Sequence, residues 1–336
     1  MATLLLLYKA RDSYPFQVTG APFTTPEYVP VIEGPDWDST VTGKQNQMTR
    51  LTTRARELTP KGSVAIYSRL GEACVIIPED QRLAVANGPS TAIVLWSDGK
   101  RLDVHHKAFV EFIGAGFGLF SDQAFGLSVI GADGNEISVA SRHIAFSPRK
   151  SVADVSADLR TVRVWLSLSE MNQGNEPLVQ ISGKDDAQVD TLHWIGDQAI
   201  ACNWKRGNNS NVAIYDAATG SVLRSFDDCD LVSRRDAVSA IVASRSTNIT
   251  ALCCPDQRSQ RLSFMTFRML RGDRITSATP DGAYVTLCRE PNGVVGWPEC
   301  DVWSSGPSPT KYGAIGDGDK FLFWRRSQDS STVTDR

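Results

Sequence analysis

Closely spaced glycines let a backbone approach a pyrophosphate, so the run Gly114–Phe120 (GAGFGLF) is the first place to look for chemistry in this chain. The dinucleotide fingerprint needs glycine at its first, third and sixth positions, between a strand and a helix. Here the sixth position is Leu119 and a further strand follows, so a tight turn or bulge between two strands is expected. Histidine offers metal chemistry, but His105 and His106 are adjacent and would point to opposite faces of a strand. His143 and His193 lack ligand spacing and are expected to be hydrogen-bonded framework residues. The two carboxylates of Gly316–Lys320 (GDGDK) lack the oxygen run and closing glutamate of a calcium loop, which makes them a solvated turn. No Gly-x-Ser-x-Gly elbow occurs. No catalytic residue, metal or cofactor is expected.

The seven cysteines, Cys74, Cys202, Cys229, Cys253, Cys254, Cys288 and Cys300, are odd in number and scattered, with no Cys-x-x-Cys spacing. That pattern favours free thiols in the cytoplasm or another reducing intracellular compartment. Cys253 and Cys254 precede Pro255 with no histidine nearby, and are expected to be inert. The sequons at Asn208 and Asn248 carry little weight beside this cysteine pattern. The opening MATLLLLYKARDS has a four-leucine run but neither a basic leader region nor a cleavage site, and reads as a first β-strand. No stretch is apolar enough to cross a membrane.

A formal charge of −3 gives no overall pull toward phosphate, so any RNA contact must come from local basic patches. Two such stretches exist. Arg50, Arg54 and Arg56 cluster near Lys44 and Lys61, while Arg258, Arg261, Arg268, Arg271 and Arg274 interleave with Phe264 and Phe267. Either could meet RNA or an acidic protein surface; a solvated face is the plainer reading. Trp96 and Trp165 are candidate anchors for a partner wherever they are exposed.

These residues need elements to hold them. Val212–Phe226 (VAIYDAATGSVLRSF) reads as strand, turn and strand: Asp216 can bond the backbone ahead of it and Gly220 can take positive φ. Thr91–Val104 repeats the pattern through Asp98-Gly99, and Phe125–Ala140 through Asp133-Gly134. Ser63–Glu72, Thr161–Glu170, Arg261–Leu270 and Asp319–Arg326 supply further strands. The strand-end markers Tyr67, Trp96, Ile130, Trp165, Tyr215, Phe267 and Trp324 suggest a unit of roughly 35 to 50 residues, the period of a propeller blade. Val189–Phe226 holds four strands, one whole unit. Gln45–Leu58 places Met48, Leu51, Ala55 and Leu58 on one face of a short helix.

The segments HIAFSPRK (His143–Lys150) before TVRVW, and LHWIGDQAIACNWK before VAIYDAATGSVLRSF, resemble blades of the WD40-type and quinoprotein-like propellers. The chain has no Gly-His dipeptide, and its only Trp-Asp pair is Trp37-Asp38, so the hydrogen-bond network of regular WD40 blades has no residues here. The leucine-rich start and YPFQVTGAP (Tyr14–Pro22) are also similar to propellers of eukaryotic translation initiation factors.

The expectation is therefore an all-β propeller of six or seven four-stranded blades over residues 63–326, closed by the N-terminal strand. Residues 1–62 add a proline-rich extended segment and the short helix, and 327–336 form a disordered tail. The resemblance implies a non-enzymatic scaffold for protein partners in a larger assembly, for which a ribonucleoprotein is one candidate. The alternative is a propeller enzyme of lactonase or hydrolase type with a metal in its central channel.

Overall fold

A computed structural model describes residues 14–20, 26–33, 47–78, 91–122, 124, 126–256, 261–270, 273–289, 300–315 and 321–326; for 32–33, 47–50, 91 and 321–326 it describes the backbone alone. Within it the Val212–Phe226 stretch turns as the sequence dictates. Asp216 Oδ1 accepts hydrogen bonds from the N–H groups of Ala218 (3.0 Å) and Thr219 (2.8 Å) and from the Thr219 hydroxyl (2.9 Å). Gly220 takes φ +71°. One carboxylate thus satisfies three donors and reverses the chain.

Two strands precede the repeating units, β1 (Phe16–Gly20) and β2 (Tyr28–Glu33), followed by helix α1 (Gln47–Leu58). The first sheet is β3 to β6 (Ser63–Tyr67, Ala73–Pro78, Thr91–Trp96, Arg101–His105), and the second is β7 to β10 (Lys107–Phe112, Gly118–Asp122, Leu127–Ile130, Glu136–Val139). The third is β11 to β14 (Ile144–Phe146, Val152–Val155, Thr161–Trp165, Val179–Ser182), with helix α2 (Leu168–Asn172) before its last strand. The fourth is β15 to β18 (Gln188–Ile195, Ala199–Arg206, Asn209–Asp216, Val222–Asp227). The fifth is β19 to β22 (Cys229–Leu231, Ala240–Ser244, Ile249–Asp256, Arg261–Met269), and the sixth is β23 to β26 (Arg274–Ala278, Tyr284–Cys288, Cys300–Ser304, Lys311–Ile315). Strand β27 (Phe321–Arg326) pairs with β2.

Each of the six numbered sheets is an antiparallel meander, and the last strand is the more exposed, as in β18 and β26. First strands are more buried, and β11 is fully so. The protein is thus a six-bladed β-propeller, each first strand toward the middle and each last strand at the rim. Apolar faces of neighbouring blades pack together, as where Trp194 on β15 donates from Nε1 to the Ala145 carbonyl on β11 (3.1 Å).

Closure uses two N-terminal strands. β2 pairs antiparallel with β27, and the N–H groups of Glu27 and Tyr28 both reach Asp281 Oδ2 in the sixth blade (2.7 and 3.2 Å). Tyr28 is buried against Val302 of β25. β1 joins the fifth blade as a fifth strand beside β22, where Phe16 meets Phe267 edge-on at 5.3 Å. The leucine run expected as a first strand lies outside the described residues, as do GDGDK and the tail.

The strand markers resolve unevenly. Trp96, Ile130, Trp165 and Tyr215 all close third strands, but Tyr67 lies on a first strand and Phe267 on a fourth. Trp303 on β25 holds the equivalent place in the sixth blade. The cysteine reading needs correction as well: Cys288 and Cys300, opposed across β24 and β25, form a disulfide, and the remaining five are buried free thiols.

The GAGFGLF run is the turn between β7 and β8, closed by Phe117 N–H to Gly114 O (2.9 Å), with Phe146 N–H of the third blade bonded to Ile113 O (2.7 Å). Gly114 has φ +103°, and a Cβ there would lie 2.1 Å from the Phe146 carbonyl oxygen. Gly114→Ala should therefore destabilise the protein by about 3 kcal/mol in denaturant titration, through backbone strain and a parted joint between blades.

Candidate functional site

Six turns, each joining the first and second strands of a blade, meet at one end of the ring. Arg149 N–H of the third blade bonds Asp197 Oδ1 of the fourth (2.7 Å), and Gly196 N–H of the fourth bonds Val238 O of the fifth (3.0 Å). The fifth blade supplies the longest of the six turns within the described residues, 232–239 (VSRRDAVS), between β19 and β20. Its side chains reach across the ring instead of along it.

Asp236 is 4 % exposed. Its Oδ2 accepts the Arg69 N–H of the first blade (2.9 Å) and Arg234 Nη2 (3.1 Å), while Oδ1 accepts Arg234 Nε (3.0 Å). Arg235 lies 3.4 Å from Glu111 on β7 of the second blade and donates to the Arg142 carbonyl at the start of the third. Ser239 O is 2.9 Å from His193 Nε2 on β15 of the fourth. One eight-residue turn therefore bonds to four other blades.

Burial sets the electrostatics. Glu72, in the same first-blade turn as Arg69, is pushed up to about 7 by burial and then by the Asp236 charge, against the opposing pull of the Gly116 N–H and Lys150. Burial and the like charge of Arg234 lower Arg69 to about 10 despite Asp236. Burial depresses His193 to about 4 and also lowers His143, beside Arg235 and Arg142. His193 is hydrogen-bonded into the framework through Ser239 O, whereas His143 Nδ1 is buried without a hydrogen-bond partner among the described residues. The axis thus holds neutral imidazoles, guanidinium–carboxylate pairs, and one carboxyl that exchanges its proton near neutrality. Asp236 and Glu111 already have cationic partners, and among the described residues no group of three or more His, Cys, Asp or Glu side chains is arranged to hold a metal.

The basic stretches are not brought together. Arg54 on α1 is exposed and donates to the Gly99 carbonyl of the first blade (2.7 Å), with Arg56 exposed on the same helix. Arg50 lies on α1, its side chain outside the described residues. Arg261 and Arg268 are exposed near opposite ends of β22 in the fifth blade, and Arg271 lies outside the described residues. Trp96 and Trp165 are only 4 % and 5 % exposed. Trp96 Nε1 bonds the Gly116 carbonyl (3.3 Å); Trp165 Nε1 bonds that of Asn175 (3.0 Å), under the Arg163 guanidinium. Trp165 does line a groove of about 310 Å³ between the second and third blades, with Val139, Met171 and Pro177. A larger cavity of about 620 Å³ lies between the fifth and sixth, edged by Val232, Arg245, Ile249 and Thr276.

Sequence reasoning missed the axial turn. Its one signal was Arg234-Arg235-Asp236, three charges in succession amid residues otherwise reading as strand and turn. Removing the hub acceptor by Asp236→Ala should cost about 2 kcal/mol in unfolding free energy, because the Arg69 N–H of one blade and the Arg234 guanidinium of another lose their shared buried acceptor together. Glu72 should leave a pH signature. Its raised folded pKa makes its stabilising share complete below about pH 4.5 and lost as pH rises through about 7. Stability measured across that window should show Glu72→Gln gaining on the wild type as pH rises.

No protein-family model matches the chain, and no curated protein matches it. Among solved structures, a eukaryotic initiation factor is 10 % identical with a TM-score of 0.42, covering 75 % of each chain. Hsv2p of Kluyveromyces lactis is 9 % identical with a TM-score of 0.40, covering 73 % of this chain and 93 % of that one. The acylaminoacyl peptidase of Pyrococcus horikoshii is 9 % identical with a TM-score of 0.43, covering 80 % of this chain and 47 % of the other. Likeness at this level assigns neither a family nor a role.

Proposed function

We propose that this propeller is a non-enzymatic scaffold that holds protein partners in a larger assembly, within the cytoplasm or another reducing intracellular compartment. The observation that carries this reading is the self-paired axis. Asp236 and Glu111, which a central-channel hydrolase would turn toward a metal, are engaged by Arg234 and Arg235 of the chain itself. Charges bonded to one another stiffen a ring and leave its grooves and rim to meet other molecules. The two inter-blade cavities and the exposed aliphatic side chains of Leu166, Leu178, Val222 and Leu223 are the surfaces this scaffold offers. Arg54 and Arg56 on one side and Arg261 and Arg268 on another are the points at which RNA or an acidic protein would add to such contacts.

The finer reading, a WD40-like subunit, rests on the blade motifs around His143–Lys150 and Val189–Phe226, and its likeness to translation initiation factor propellers on the leucine-rich start and Tyr14–Pro22. Affinity capture of the tagged full chain, followed by size-exclusion chromatography, should recover a complex of fixed stoichiometry, and nuclease treatment should reveal any RNA within it. A chain eluting alone with stoichiometric calcium or zinc by elemental mass spectrometry would instead establish the metal-dependent enzyme.

A further inference from the structure

Two of the seven cysteines stand apart from the rest. Cys288 ends β24, Cys300 begins β25, and the two face each other in register across the antiparallel pair. Both are partly exposed, whereas Cys74, Cys202, Cys229, Cys253 and Cys254 are buried. Burial raises the thiols of Cys202, Cys253 and Cys254 well above the ordinary range, which keeps them protonated and unreactive.

The two sulfurs have different surroundings. Arg274 lies opposite Cys288 on β23, and Arg289 follows Cys288 in the chain while pairing with Asp273 at 3.2 Å. The Thr276 hydroxyl is 3.2 Å from Cys288 Sγ. Beside Cys300 stands Asp301, paired with Lys311 at 2.7 Å. A thiolate at Cys288 would accept the Thr276 hydroxyl, with Arg274 directly across from it in register on the same face of the sheet; among the described residues no such donor stands at Cys300, whose neighbour Asp301 is held by Lys311. Cys288 is therefore the better leaving group.

We propose that Cys288 and Cys300 are an exchange-competent redox pair, opened by a dithiol reductant, whose state sets how firmly the sixth blade holds the closing strands. A thiolate of the reductant attacks Cys300 Sγ, forms a mixed disulfide and expels Cys288 as thiolate. The second thiol of the reductant then attacks the mixed disulfide at its own sulfur, leaves as a cyclic disulfide and frees Cys300. Two electrons pass to the protein, and the two thiol protons of the reductant end on the two cysteines. The effect reaches the closure through β25, because Val302, two residues beyond Cys300, is fully buried and packs on Tyr28 of β2.

Thermal unfolding of the full chain with and without dithiothreitol tests the proposal. The oxidised protein should unfold on the order of 5 °C above the reduced one, and the Cys288→Ser/Cys300→Ser double variant should match the reduced wild type in both conditions. Independently of any variant, alkylation and mass spectrometry of the wild type should find these two cysteines alone labelled under native conditions, and only after reduction. Brief exposure to glutathione should leave the mixed disulfide on Cys300. Labelling of both cysteines without reduction in an oxidising buffer, or an unfolding temperature indifferent to dithiothreitol, would overturn the pair as a switch. Glutathione trapped on Cys288 would overturn the assigned direction of attack.

Discussion

Asp236 accepts hydrogen bonds from its own neighbour Arg234 and from the backbone of Arg69, which lies on the far side of the closure. A ring of separate small sheets has a mechanical difficulty: each blade touches only its two neighbours, so small misalignments can accumulate around the circle. A contact across the middle removes that freedom. The 232–239 turn makes such contacts to the first, second and third blades, and does so with charges whose desolvation is offset only when all partners are in place. The central network therefore acts as a gauge of correct assembly more than as a source of net stability. Apolar packing between adjacent blades supplies the bulk of that stability, as in the cluster around Trp194, Trp204 and Tyr215.

The same network limits the chemistry that Asp236 can offer at the axis. A catalytic carboxylate needs free lone pairs or an accessible proton, and a metal needs several ligands turned to one point. Here Asp236 spends both oxygens on Arg234 and Arg69. The Glu72 carboxyl, pushed up to about 7 by burial, is packed beside Gly116 in the wall between the first and second blades.

Much of the fold was legible because its signals are local. Asp216 with Gly220, Asp98 with Gly99 and Asp133 with Gly134 mark hairpins whose geometry depends on a few consecutive residues. The four strands of Val189–Phe226 and the α1 face of Leu51 and Ala55 followed from alternation and periodicity in the same way. What stayed hidden depends on residues far apart in sequence. Nothing in FQVTG says that it will lie beside RLSFMTFRM, and nothing in SRRD says that it will cross the ring. Residue type alone also says nothing of exposure: Trp96 and Trp165, candidate anchors only where exposed, are buried, and each indole N–H is used internally on a backbone carbonyl. The disulfide escaped because cysteine spacing carries no information about strand register.

The two closing strands impose an order of events on synthesis. Thr19 bonds Thr266 across 247 positions, and Glu27 bonds Asp281 across 254. Neither partner exists while the early blades emerge from the ribosome, so β1 and β2 must wait unpaired until most of the polypeptide has been made. During that interval their strand edges are open to any other extended peptide, and the finished ring is reached only by a late, long-range step of the slow kind.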